Sequence, residues 1–112
     1  MHDAPIVQKV YDLYRALYPV IEKMPKRDKY TLGERISVST LVVLECLIAA
    51  SYAARDKKLA LLQQTTIKLD VLKMLLRLAE EVKAIPTKAY LTLTEQLTEI
   101  GRMLGGWIRS IK

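Results

Sequence analysis

Cysteine and histidine are nearly missing from this chain of 112 residues: it holds one of each, Cys46 and His2. A single cysteine excludes an internal disulfide framework and a cysteine zinc cluster. A single histidine, two residues into the chain, cannot anchor a histidine metal site or a catalytic triad. Four glycines and four prolines leave little material for the tight turns of a sheet. No glycine-rich phosphate loop and no nucleophile motif is present. Glu34, Glu45 and Glu99 are carboxylates that could act as bases, but no partner is spaced to position them, so they read as solvated helix faces and ion pairs. Neither a catalytic residue, a metal ligand nor a cofactor site is expected.

Long apolar runs are also scarce. The first twenty residues carry Asp3, Lys9, Asp12 and Arg15, which leave no apolar core for a secretory signal. The stretch from Ile36 to Ala54 has Glu45 as its only charge. A carboxylate near the centre of a membrane span costs about 3 kcal/mol, and Ser37, Ser39, Thr40 and Ser51 weaken that reading further. A helix buried on more than one side fits better, in a cytoplasmic protein with a reduced, buried thiol at Cys46.

What the chain does have is charge and helical period. Eighteen Lys and Arg stand against twelve Asp and Glu, for a net charge of +6, while 51% of residues are hydrophobic. That composition is globular, and the length suits one domain over residues 1–112. A domain this small buries only about two-thirds of its unfolded surface, so partner subunits would help it.

Four helical segments follow from the spacing of apolar residues. The first, Pro5 to Met24, carries Ile6, Val10, Leu13, Leu17, Val20 and Met24 on one face. Val7, Tyr11, Tyr14, Tyr18 and Ile21 lie beside them, and Pro19 predicts a kink. A polar joint, Pro25 to Tyr30, precedes the second segment. Thr31 and Glu34 have capping-box spacing there, and the helix is expected to run to about Arg55. Leu32, Ile36, Val43, Leu47, Ala50 and Ala54 share its inner face. Leu41, Leu44 and Ile48 form a further apolar flank that needs another partner.

Arg55 to Lys58 reads as the next joint, and a third helix from about Leu59 to Ala84 shows two stripes. One is Leu62, Thr65, Leu69, Leu72, Leu76 and Ala79; the other is Ile67, Val71, Met74, Leu78 and Val82. Asp70, Lys73, Arg77 and Glu81 are spaced for helical ion pairs. After Ile85-Pro86, Thr87 is a candidate N-cap for a fourth helix with the heptad Tyr90, Leu93, Leu97, Ile100, Leu104, Trp107 and Ile111. Gly101 and Gly105 sit four apart on one side of it and allow close approach of a neighbouring backbone.

Short joints predict an all-α, antiparallel up-down-up-down four-helix bundle. Such a bundle gathers Lys26, Arg27, Lys29, Lys83 and Lys88 at one end and Arg55, Lys57, Lys58, Arg109 and Lys112 at the other. Residues 23–35 and 102–112 each carry a net +3. Cationic clusters of this kind neutralise phosphates and release counterions, which makes nucleic acid a candidate ligand; a plain solvated surface has the same composition. The candidate contacts are Lys23, Lys26, Arg27, Lys29, Arg35, Arg55, Lys57, Lys58, Lys73, Arg77, Arg102 and Arg109. Tyr11, Tyr14 and Tyr18 are spaced for packing rather than for stacking on bases. Leu41, Leu44, Ile48, Ile67, Val71 and Met74 are the candidate interface of a homo-oligomer.

Pro25-Lys26, Tyr30-Thr31-Leu32-Gly33-Glu34-Arg35-Ile36 and, above all, Glu99-Ile100-Gly101-Arg102-Met103-Leu104-Gly105-Gly106-Trp107 resemble the accessory variability determinant (Avd) proteins of diversity-generating retroelements. The stretch from Leu72 to Ala79, with Arg77, fits as well. The likeness covers about residues 20–110. Ribosomal-RNA intervening-sequence proteins share the broader bundle architecture. The resemblance implies a homopentameric barrel of four-helix bundles. It also implies RNA or DNA held on basic surfaces, and association with a reverse transcriptase that copies a template RNA mutagenically. Arg35 and Arg102 fall on motif positions. The other reading is an oligomeric scaffold that binds protein only.

Overall fold

In the computed structural model, which describes residues 4–112, the chain folds into four long antiparallel helices around one apolar core. His2 and Asp3 lie outside the described residues. Helix α1 spans Ala4–Glu22 and continues through Pro19. A short helical turn α2, Lys26–Asp28, passes into a π-helical segment, Lys29–Gly33, and that into α3, Glu34–Tyr52. Helices α4, Arg55–Glu81, and α5, Thr87–Ile111, complete the bundle. Neighbours pack in the order α1, α3, α4, α5 and back to α1, which leaves α4 diagonal to α1. The 27 residues of α4 set the long axis of 43 Å, and a cross-section of 21 × 20 Å holds two helices by two.

The expected stripes form the core. Ile6, Val10, Leu13, Leu17 and Met24 of the first segment are buried, and Val20 is half-buried against them. Along α4, all six residues of the stripe from Leu62 to Ala79 are buried, as are Leu93, Leu97, Ile100 and Leu104 of the α5 heptad. Two polar residues join this core, Thr40 and Thr65. Each donates its hydroxyl to the carbonyl one turn back, Ile36 at 2.8 Å and Leu61 at 2.7 Å, so neither hydroxyl is left unpaired.

The helix ends differ from expectation. The chain turns helical at Pro25, not at Thr31: the amides of Asp28 and Lys29 both donate to the Pro25 carbonyl at 2.9 Å. Proline suits a helix start because its φ is already fixed and a start needs no N–H. Thr31 therefore lies within a helical run and caps nothing; its hydroxyl donates to the carbonyl of Arg27 at 3.0 Å. The reversal into α4 consists of Ala53 and Ala54, both extended, while Arg55 to Lys58 form the first turn of α4 rather than a joint. Ala54 is accordingly exposed instead of lying on the inner face of α3.

Helix α4 stops at Glu81, before Ala84, in a Schellman motif. The Ala84 amide reaches back to the Ala79 carbonyl at 2.8 Å and the Lys83 amide to the Glu80 carbonyl at 3.0 Å, with Lys83 left-handed at φ 64°. Pro86, not Thr87, occupies the N-cap position of α5. The Thr87 hydroxyl instead donates to the Glu80 carboxylate at 2.9 Å and ties the two ends of this joint together.

Among the described residues no helix is long and apolar enough to cross a membrane, which disposes of the Ile36 to Ala54 stretch as a span. Cys46 is half-buried rather than fully buried.

Candidate nucleic-acid interface

Antiparallel packing sorts most of the candidate cations into four places, with Lys29 beside the Tyr30 ring and Arg77 apart from them. At the end formed by the α1–α2 and α4–α5 joints, Lys23 and Lys83 line one shallow depression together with the carboxylates of Glu80 and Glu81. Lys26 and Arg27 are exposed in the neighbouring turn, where Arg27 stands 3.7 Å from Asp28. At the opposite end, Arg55 donates from Nε to the Ile111 carbonyl at 3.0 Å, so the first turn of α4 meets the last turn of α5. The Lys58 ammonium sits 6.0 Å from the Trp107 ring centroid there, and Lys57 is exposed.

The third place is a groove between α3 and α4. Arg35 and Lys68 line it together with Val38 and Val71. Lys68 was absent from the sequence-based candidates, because its meeting with Arg35 depends on the register between two helices. Arg77 stands apart from these clusters, exposed on α4 and bonded to Glu81 at 3.2 Å. It is the one ion pair formed within the set Asp70, Lys73, Arg77 and Glu81.

The fourth place is the most concentrated, an open groove of about 490 Å³ between α4 and α5. Lys73 enters from α4; Arg102 and Arg109 enter from α5. Thr66 and Thr98 add hydroxyls, and Asp70 is the one carboxylate in the lining. Gly101 and Gly105 keep the α5 side of the groove low. A methyl group at Gly101 would meet only the Lys73 ammonium, at 3.8 Å, and one at Gly105 would meet only the Arg109 guanidinium, at 3.4 Å. Lys73 and Arg109 thus lie close over the α5 backbone. Neither forms an ion pair among the described residues, whereas Arg102 pairs with Glu99 one turn away.

Two further groups of candidates separate. Tyr11 and Tyr18 are exposed, contrary to the expectation that their spacing serves packing. Tyr14 is half-buried and shares a hydrogen bond with the Ser37 hydroxyl at 3.2 Å. Of the apolar interface candidates, Leu44 and Ile48 are half-buried against the bundle's own core. Leu41, Ile67, Val71 and Met74 are exposed, and Ile67 and Met74 keep 65% and 61% of their surface in solvent. Ile67, Val71, Met74 and Leu78, continued by Val82 just past the helix end, make the outer face of α4 an apolar ridge, while Leu41 lies on α3.

The fold and surface first define a class, a small basic four-helix bundle with cationic grooves and an apolar outer ridge. Over residues 5–111 the sequence matches the bAvd-like family, and the chain belongs to that family. It is a family of accessory proteins of diversity-generating retroelements and is not known for catalysis. A search of curated proteins gives no match. Gly101, Arg102, Leu104 and Gly105 of the Glu99 to Trp107 run line the α5 side of the α4–α5 groove, with Thr98, Ile108 and Arg109 from either side of that run.

Proposed function

We propose that this chain is a non-catalytic, nucleic-acid-binding accessory subunit. It associates with a retroelement reverse transcriptase in the cytoplasm and supports mutagenic copying of a template RNA. It acts as a homo-oligomer, a pentamer by family likeness. The observation that carries this reading is the α4–α5 groove, where Lys73 and Arg109 lie over a glycine floor and form no ion pair among the described residues. Two cations with no ion-pair partner among the described residues suit a phosphodiester backbone, which needs charge neutralisation and no catalytic group; the Thr66 and Thr98 hydroxyls already donate to the Leu62 and Thr94 carbonyls. Repetition of the groove around a ring of copies multiplies the contacts along one strand.

Binding to RNA or DNA should weaken steeply between about 50 and 200 mM salt. Lys73→Glu with Arg109→Glu should cost at least about tenfold in affinity and flatten the salt slope by about two, with the helical circular dichroism kept. Absence of binding in dilute buffer, or binding indifferent to salt, would remove the reading.

The outer ridge of α4 favours a second reading, an oligomeric scaffold that binds protein only. An exposed row of Ile67, Val71, Met74 and Leu78 is what a contact between copies or with a partner protein uses. Ile67→Glu with Met74→Glu should lower the mass seen by light scattering to that of a smaller species while the fold persists. Recovery of the reverse transcriptase from nuclease-treated extract, by a protein that binds no nucleic acid, would favour the scaffold.

A further inference from the structure

A third groove, of about 380 Å³, opens between α1 and the π-helical segment on the side of the bundle away from the α4 ridge. Its lining is unlike that of the cationic groove. Tyr18 and Tyr30 border it with 67% and 64% of their surface exposed, and Tyr14 stands edge-on to Tyr18 with ring centroids 5.8 Å apart. Leu17 and Ile21 supply an apolar floor. Tyrosine is amphipathic, and two rings left this open beside an apolar floor give the monomer little packing in return. The π-helical geometry is itself a local departure from the regular helix that is frequent at functional sites. It brings Tyr30 to the same groove as Tyr18, twelve residues earlier in the chain.

Resting on the nucleic-acid reading above, we infer that this groove holds an unpaired base of a single strand, stacked on Tyr18 and Tyr30. The groove lining sets one ammonium, Lys29, against two carboxylates, Glu22 and Glu34, so the charge that favours a strand over an apolar protein side chain lies in the adjoining turn. The Lys29 ammonium lies 5.7 Å from the Tyr30 ring centroid, and Lys23, Lys26 and Arg27 are exposed in the adjoining turn, where a strand leaving the groove needs its phosphates neutralised. The remaining polar lining includes two carboxylates, Glu22 and Glu34. Carboxylates repel phosphate but accept hydrogen bonds from the exocyclic amines of adenine, cytosine and guanine, which uracil and thymine lack. The site should therefore prefer bases with an amine.

The test uses the full chain, short single-stranded homopolymers of adenylate, cytidylate and uridylate, and a DNA duplex. Tyr18→Ala and Tyr30→Ala should each weaken adenylate and cytidylate binding roughly tenfold with the salt slope unchanged, because stacking releases no counterions. Duplex binding should stay as in the wild type, Tyr18→Phe and Tyr30→Phe should restore single-strand binding, and uridylate should be the weakest wild-type ligand. Single-strand binding untouched by both alanines overturns the base site and leaves the cationic groove standing. Equal losses on single and double strands also overturn it, as does loss of reverse transcriptase capture alone, which would assign the groove to protein. A wild type that binds no polynucleotide fails both readings and is recognised by the duplex control.

Discussion

The glycine in the first half of this sequence and the three in the second answer to different demands. Gly33 closes the π-helical segment and is buried; a methyl group there would come within 3.0 Å of both Ile21 Cγ2 and Met24 Sδ. Its backbone is ordinary right-handed helix, φ −61° and ψ −44°, so the demand is for space and not for conformation. Gly101, Gly105 and Gly106 also lie in a regular helix, α5, where each costs up to about 1 kcal/mol relative to alanine. There the only neighbours of an added methyl are the tips of Lys73 and Arg109. A side chain at the first glycine must push Ile21 and Met24 aside, whereas the other three have room and are tolerated at a loss. A loss of that kind points to something outside the monomer that needs the room, which is why the α4–α5 groove carries the functional reading.

That comparison can be broken most forcefully at Gly33. Gly33→Val pushes a branched side chain against Ile21 and Met24 and should cost about 3 kcal/mol, the upper part of the range for overpacking. For a domain of this size the melting temperature should drop by roughly 10 °C or more. A melting curve matching the wild type would mean that the α1 end and the π-helical segment are not held together as closely as these distances state.

Gly101→Ala should act in the opposite direction. The methyl group meets nothing but a flexible ammonium, and the helix gains up to about 1 kcal/mol. The same methyl raises the groove floor under Lys73, so nucleic-acid affinity should fall by about threefold to tenfold while thermal stability rises. Stability and affinity that rise together would show that the glycine floor serves no ligand.

The parts of the molecule that were legible share one property. The stripe from Leu62 to Ala79 and the heptad from Leu93 to Leu104 are periodic, and a period can be read without knowledge of any neighbour. The joints were displaced because their signals are ambiguous. Arg55 to Lys58 looks like a charged loop but is an ordinary first turn, and Thr31 with Glu34 has capping-box spacing inside a run that Pro25 has already started. The grooves were the least legible. Lys73, Arg102 and Arg109 were each candidates by charge, but their convergence depends on how α4 and α5 slide past one another, and Lys68 was missed for the same reason. Tyr18 was misjudged because helical spacing locates a ring on a face without saying what covers that face.

Lys83 is the counterpart of the α5 glycines, a position where the backbone suits glycine and the sequence has none. Its φ of 64° closes the Schellman motif that ends α4, and a left-handed residue with a Cβ is strained by about 1–2 kcal/mol. Lys83→Gly relieves that strain, and part of the gain is returned because glycine adds freedom to the unfolded chain. The net effect should be stabilisation by about 0.5–1 kcal/mol, read as a small rise in the denaturant midpoint without change in slope. Lys83 is exposed at the joint end, in a depression it shares with Lys23, Glu80 and Glu81. If Lys83→Gly stabilises the fold and also weakens nucleic-acid binding, lysine is kept at this strained position for its charge. If it stabilises with binding intact, the charge at this position plays no part in binding.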